Sequence, residues 1–434
     1  MAAGDRQHEL AGWKAIADHL GISIRTAQNY EKHGLPVRRL SAGPNGRVLA
    51  IKAELDEWWS RRDLPVPEAP VLDLPVPGPH VRSGAILGRP GGWRYASWLL
   101  GGLAASVLLL SVLPMGRHVE PIGLKGDGEY LVATDGQGKE VWKAKMAWRP
   151  EPNVYRLPKL ASQRRFQFID ITGDQRPELL AQYVPEDYNT RGQYLYCIGP
   201  TGVPLWRYKF GRDVADSRTT FSSVFWANSF EVVNLKGGAE RRIAVTATHS
   251  LSHPSQVSIL DTQGRLLGEY WHSGHLRHLL AQDLDGDSQP ELILGGANIG
   301  RHRATLVVLD PRNLGGASSQ PPGDPYTLRG FGRGTEKAVV LFPRGCLGLH
   351  EDFDFVSQIR ITANRISVIA KQSVDERAPY YLIFELNWQL ELIGIVQSDT
   401  YAARHRELEA QGLLNHSFSL AEIDRLKGAY RVIR

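Results

Sequence analysis

Residues 280–296 read LAQDLDGDSQPELILGG: an apolar run, a turn of Asp, Gly, Ser and Pro, and a second apolar run. Residues 168–182, FIDITGDQRPELLAQ, repeat the form. Short runs of Leu, Ile, Phe and Ala bounded by such turns are the pattern of β-strands, so each stretch predicts a strand pair. Working outward, a second kind of hairpin follows each: YLYCIGPTGVPLWRY (194–208) after 168–182 and, more loosely, TLVVLDPRNLG (305–315) after 280–296. Further hairpins of this kind are EYLVATDGQGKEVW (129–142), VSILDTQGRLLGEYW (257–271) and YLIFELNWQLELIGI (381–395). Eroded versions of the first element, VVNLKGGAERRIAVTA (232–247) and IRITANRISVIAK (359–371), precede the last two. A repeated sheet of about four strands cannot bury both faces alone, and radial stacking solves that problem. The expected fold beyond residue 116 is therefore an all-β propeller of about five blades over 116–400, with strands near 129–147 closing the ring against late ones. Residues 401–434 turn helical and charged, with Ser419 placed to cap AEIDRLKGAY, as a tail that packs on the propeller or ends the chain in solvent.

These units resemble FG-GAP or VCBS repeats of integrin-like propellers, and their hairpins are similar to quinoprotein-type blades. The carrying residues are Asp283, Asp285, Gly286, Asp287, Pro290 and Glu291, with Asp170, Thr172, Gly173, Asp174, Pro177 and Glu178 in the earlier stretch. The resemblance implies calcium (Ca2+) held by oxygens of Asp283, Asp285, Asp287 and Glu291, and of Asp170, Thr172, Asp174 and Glu178. Calcium takes six to eight oxygens, and clustered carboxylates repel until a cation neutralises them. Thr172 departs from the pattern, as do Glu178 and Glu291 in the place of a usual last Asp. The plain alternative is a tight turn whose Asp side chains bond their own backbone. His272, His275 and His278 precede the later loop at three-residue steps, a conceivable metal set.

At the other end of the chain, Leu10, Trp13, Ile16, Ala17 and Leu20 recur at helical spacing and Gly21 stops the helix. Ser23 caps a second helix, Ile24 to His33, that buries Ala27 and Tyr30 and leaves Arg25, Thr26, Gln28, Asn29 and Lys32 free. Two such helices across a Gly turn form a helix-turn-helix, whose second helix enters the major groove of double-stranded DNA. Gln and Asn bond base edges there, and Arg, Lys, Ser and Thr hold phosphates. LPVRRL and GRVLAIK then form a wing around SAGPNG, placing Arg38, Arg39 and Arg47 beside the groove, and KAELDEWWSRR closes the unit with a helix. Residues 10–62 resemble the winged helix-turn-helix of the MerR and phage excisionase group. That resemblance implies Ser23, Arg25, Thr26 and Tyr30 as DNA contacts, while Gln28 and Asn29 stand where Arg and Tyr are usual.

Between the two lies WRYASWLLGGLAASVLLLSVLP, from Trp93, with no charged residue or His between Arg94 and Arg117. A helix of that length reaches roughly 30 Å, the hydrocarbon thickness of a bilayer, so a single transmembrane helix over 93–115 is expected. Trp93, Tyr95 and Trp98 suit the headgroup level, and Arg82, Arg89 and Arg94 lean the N-terminus inside. Ser97, Gly101 and Ala105 form a small-residue stripe on which a homodimer would pair. Residues 63–92, rich in Pro and Gly, are an extended linker.

A net charge of +5 over 434 residues decides no partner by itself. Cys197 and Cys346 pair only if their side of the membrane is oxidising and their backbones come close. There is no CxxC and no Cys/His cluster of zinc spacing, and no nucleophile elbow, zincin motif or phosphate loop, so the chain does not read as an enzyme. The organisation expected is a DNA-binding domain over 1–62, the linker, the span, the propeller and the tail. That describes a membrane-anchored one-component transcription regulator in the inner (plasma) membrane, with a cytoplasmic head and an extracytoplasmic propeller sensing a ligand or protein. The competing reading is a membrane-bound propeller scaffold whose head tethers DNA or binds protein.

Overall fold

The structure, a computed structural model, describes residues 9–20, 28, 31, 35–39, 48–52, 54–55, 120–152, 154–155, 161–251, 253–347, 354–362, 364–371 and 380–434. Two compact units divide the chain, Met1–Glu120 and Pro121–Arg434.

In the first unit Gly12, at φ +88°, turns the chain from the strand Glu9–Ala11 into the helix Gly12–Leu20. A left-handed φ suits a residue without Cβ, and this is why the helix starts after Leu10 and not at it. Leu10 and Ala11 are instead taken by antiparallel pairing with Ala50 and Leu49. The strand Val48–Ile51 lies centrally and pairs on its other side with Arg38–Arg39. Ile16 and Ala17 of the helix, Leu35, Val48 and Ala50 of the wing, and Leu55 after it form one buried cluster, with Trp13 packed against it. Gln28 and Glu31, the described residues of the expected second helix, are helical.

The large unit is built from turns that its sequence writes repeatedly. Asp135, Asp261 and Asn387 each open a hairpin, and their side-chain oxygens accept hydrogen bonds from the backbone N–H four residues on, at Lys139, Arg265 and Glu391. Such Asx turns fix hairpin register locally. The left-handed position in each is Gly138, Gly264 or Leu390.

Among the described residues, five antiparallel sheets of three or more strands follow one another along this unit, with a two-stranded ribbon of Val214–Ala215 and Thr220–Phe221 between the second and the third. The first holds Gly123–Asp127, Tyr130–Thr134 and Glu140–Lys145; the second runs from Phe166–Ile169 through Glu178–Tyr183 and Tyr194–Ile198 to Pro204–Lys209. The third holds Phe225–Leu235, Glu240–His249, Ser255–Leu260 and Leu266–His272. The fourth holds Gly274–Gln282, Glu291–Asn298, Arg303–Leu309 and Glu336–Leu341, and the fifth runs from Phe355–Thr362 to Leu392–Gln397. Each is a meander in sequence order, the arrangement of a propeller blade.

Buried clusters join each sheet to the next. Leu131 and Ala133 meet Leu179 and Ala181; Leu195 and Phe210 meet Phe230 and Val245; Val257 and Tyr270 meet Leu279 and Leu294; Leu306 and Val340 meet Val368 and Phe384. Each Leu, Val or Phe among them contributes about 1.5–3 kcal/mol by leaving water. Among the described residues no cluster joins the fifth sheet to the first. The strands near 129–147 pack on the second sheet instead, because Trp142 and Ala144 fill the face offered by Tyr196 and Ile198. The chain end adds itself to the fourth sheet, where Val432 pairs with Val340. Its helices Asp399–Ala410 and Leu420–Ala429 bury Tyr401 and Leu426 in the core of the last two sheets, so the tail packs.

The expected fold class needs correction. The described chain is mostly β-sheet with few helices, and none of those helices is long and apolar enough to cross a membrane. Residues 93–115, on which the transmembrane reading rested, lie outside the described residues, as does the linker over 63–92.

Candidate functional site

On the N-terminal unit, the described residues of the expected DNA interface are Gln28, Arg38 and Arg39, and all three are exposed. Ser23, Arg25, Thr26, Asn29, Tyr30, Lys32 and Arg47 lie outside the described residues. The two arginines sit side by side on the wing strand and already hold carboxylates. Arg39 Nε and Nη2 fork onto Glu31 Oε1 and Oε2 at 2.7 Å each, and Arg38 Nη2 donates to Glu54 Oε1 at 2.7 Å. Arg39 thus ties the wing to the segment carrying Gln28 and Glu31. The hydrogen bond from Arg39 lowers the Glu31 pKa and keeps it ionised. A phosphate approaching this strand competes with Glu31 and Glu54 for the guanidinium groups.

In the large unit the two acidic loops join the first and second strands of the second and fourth sheets, at equivalent places. Both behave as self-bonded turns. Asp170 accepts from Gly173 N at 2.6 Å and Gln175 N at 3.0 Å; Asp283 accepts from Gly286 N at 2.8 Å and Ser288 N at 2.9 Å. Asp174 and Asp287 accept from Arg176 N and Gln289 N. The closing glutamates are buried and reach back: Glu178 accepts from Ile171 N at 2.7 Å, and Glu291 from Leu284 N at 2.9 Å.

The difference between the loops that matters for a cation is Thr172 in the earlier one against Asp285 in the later one. In the earlier one Thr172 Oγ1 donates to Glu178 Oε1 at 3.0 Å, so no cation is needed there. In the later one Asp285 and Glu291 would repel, and Lys337 Nζ lies between them at 2.7 and 2.6 Å. Asp283, Asp285 and Glu291 bring carboxylate oxygens within 4.8 Å of one another, a grouping that could hold a metal ion. The set does not fit calcium as arranged, because the Lys337 ammonium takes two of the three carboxylates.

The three histidines do not converge. His278 Nδ1 bonds Ser162 Oγ at 2.9 Å and His272 Nε2 bonds Ala297 O at 3.3 Å; all three rings are buried. Burial pushes the pKa of His272 and His278 down to about 4, and both stay neutral. Cys197 and Cys346 are free thiols, and burial pushes Cys197 up to about 12.

A cavity of about 740 Å³, absent from the sequence reading, opens among the inner strands of the second, third and fourth sheets. Its lining includes Arg165, Arg277, Gln193, Asn228, Trp226 and a single acidic residue, Glu151. Arg277 keeps open surface, yet that surface faces the cavity, and desolvation there lowers its pKa. No carboxylate pairs with Arg277 among the described residues. Arg165 donates to Gln182 Oε1 at 3.1 Å and Ala227 O at 3.2 Å, again without a carboxylate. Two unneutralised guanidinium groups beside amides and an indole suit a small anion.

No known protein-family model matches the chain. It is similar to the terminase small subunit of Escherichia phage lambda and to the DNA-packaging protein NU1 homolog of Escherichia coli (strain K12), 42% identical over 50 residues in each case. The prophage DNA-packing protein NohA of the same strain matches at 42% over 50 residues. These short N-terminal matches take in 12% of this chain and 27% of the first two relatives, so the chain spans about a quarter of their length. Among solved structures, the Dos1 propeller is similar at 11% identity and TM-score 0.35, covering 64% of this chain and 56% of that one. The V. cholerae biofilm matrix protein Bap1 is similar at 11% identity and TM-score 0.26, over 66% of this chain and 71% of that one.

Proposed function

We propose that this chain is a DNA-binding regulator whose N-terminal unit grips duplex DNA and whose large unit receives the small anion or protein that controls it. The observation that carries the reading is the likeness of the N-terminal segment to proteins named for DNA packaging. It is supported by a wing strand presenting Arg38 and Arg39 to solvent beside exposed Gln28. The arginine-lined cavity supports the receiving role. Chromatin immunoprecipitation of the full-length protein from its native cells is the test. A few sharp peaks upstream of genes support regulation. A second reading, a DNA tether without sequence preference, is favoured by relatives named for packaging and not for control; even enrichment along the chromosome selects it. No enrichment overturns both.

A further inference from the structure

We propose that Cys346, His405 and His416 form a site for one zinc ion that fastens the C-terminal helices to the last two sheets. The three residues come from distant parts of the chain. Cys346 follows the strand Glu336–Leu341 and packs on the core of the fourth and fifth sheets. His405 is buried on the helix Asp399–Ala410, and His416 lies in the connection to the helix Leu420–Ala429. One ligand atom from each lies within 4.8 Å of the other two. Zinc bonds nitrogen at about 2.0–2.1 Å and thiolate sulfur at about 2.3 Å, so small side-chain rotations complete the contraction.

The hydrogen bonds around the cluster point the same way. His405 Nε2 is buried without a hydrogen-bond partner, and His416 Nε2, likewise buried without a hydrogen bond, has the Glu422 carboxylate at 3.5 Å. Buried polar atoms are nearly always paired, so two imidazole nitrogens without a hydrogen bond, clustered with a thiol, are open to a cation. Of the other nitrogens, His416 Nδ1 lies 3.3 Å from Asn415 Oδ1, while His405 Nδ1 has Glu409 Oε2 at 3.9 Å, an ion-pair contact longer than a hydrogen bond. The Asn415 oxygen beside His416 Nδ1 holds the proton there and leaves that ring's Nε2 lone pair for a metal. Tyr401 Oη is 3.3 Å from Cys346 Sγ and supports a thiolate as a hydrogen-bond donor.

One sulfur and two imidazoles select a zinc-class cation over magnesium or calcium. Glu422 Oε2, 3.5 Å from His416 Nε2 and held by Arg425, is the carboxylate next to the open fourth position. On binding, Cys346 gives up its thiol proton to solvent, and the metal–sulfur bond forms in its place.

The test uses the full-length chain, stripped with a chelator and titrated with cobalt(II), then zinc. The expected result is one cobalt per chain, with a thiolate-to-cobalt charge-transfer band and the strong visible bands of a tetrahedral site. Zinc then displaces cobalt and raises the melting temperature by several degrees when in large excess over its dissociation constant. Cys346→Ser abolishes the charge-transfer band and Cys197→Ser leaves it intact. His416→Asn, in a half-buried connection, weakens zinc binding tenfold or more while the chelated protein melts as before, which separates ligand loss from misfolding. Absence of stoichiometric uptake, or uptake unchanged in both Cys346→Ser and His416→Asn, overturns the proposal.

Discussion

Lys337 Nζ lies 2.6 Å from Glu291 Oε1, and the same ammonium reaches Asp285 Oδ2 at 2.7 Å. Burial alone would lower the Lys337 pKa, but these two hydrogen bonds raise it. Lys337→Met leaves a buried Glu291 facing Asp285 and is expected to cost about 2 kcal/mol in urea unfolding. Millimolar calcium should then raise the melting temperature of the variant and leave the parent unmoved. Adding Asp285→Thr should recover most of the loss, because it reproduces the Thr172–Glu178 bond of the earlier loop. A parent that responds to calcium as strongly as the variant would show that Lys337 does not exclude the ion.

Gly296 lies opposite Leu276 beside a bulge, and a Cβ there would fall 1.7 Å from His275 O. That oxygen is backbone and cannot step aside. Gly296→Ala is therefore expected to cost about 3 kcal/mol or to prevent folding, whereas Gly332→Ala, with no atom within 4 Å, stays within about 0.5 kcal/mol of the parent. Equal denaturation midpoints for the two variants would contradict the close pairing of the first two strands of the fourth sheet.

The hairpins were legible because their causes are local. Asp135, Asp261 and Asn387 bond backbone N–H groups within the same turn, and the left-handed position follows three residues on. The two acidic loops were legible for the same reason, although the Lys337 ammonium that enters the later one comes from another strand, far along the chain. Cys346, His405 and His416 have no common spacing, since sheet packing and the turn between two helices bring them together; no motif announces them. Among the described residues no cluster carries the expected ring closure, because apolar alternation at 129–147 tells that a face is buried and not which sheet covers it. On the head, the wing was readable from Arg38 and Val48, but the forked Arg39–Glu31 pair was not, because it spans helix and strand.

Stability should fall steeply on mild acidification. His249, His272 and His278 are buried, and desolvation pushes their pKa values down to about 3, about 4 and about 4. In the unfolded chain each titrates near 6.5, so between that pH and about 4 the unfolded state binds protons that the native state does not. The stabilisation from keeping them neutral is present above pH 6.5 and is lost as pH falls, by up to about 1.4 kcal/mol per pH unit for each ring. Urea midpoints measured from pH 7 to pH 4.5 should drop accordingly, and His272→Gln should flatten the slope. A flat profile would mean that these rings are open to solvent.

The forked pair on the wing makes a separable prediction about DNA. Arg39 must loosen its hold on Glu31 to reach a phosphate, so Glu31→Gln should tighten duplex binding several-fold in fluorescence anisotropy at fixed salt. Arg39→Ala and Arg38→Ala should each weaken binding across all sequences and lower the magnitude of the salt slope by about 1, the mark of one lost phosphate contact. A structural role for the pair gives the opposite pattern: Glu31→Gln and Arg39→Ala would then weaken binding alike and lower the melting temperature alike. The sign of the Glu31→Gln effect therefore decides whether Arg39 is a DNA contact held in reserve or a strut between the wing and the segment carrying Gln28.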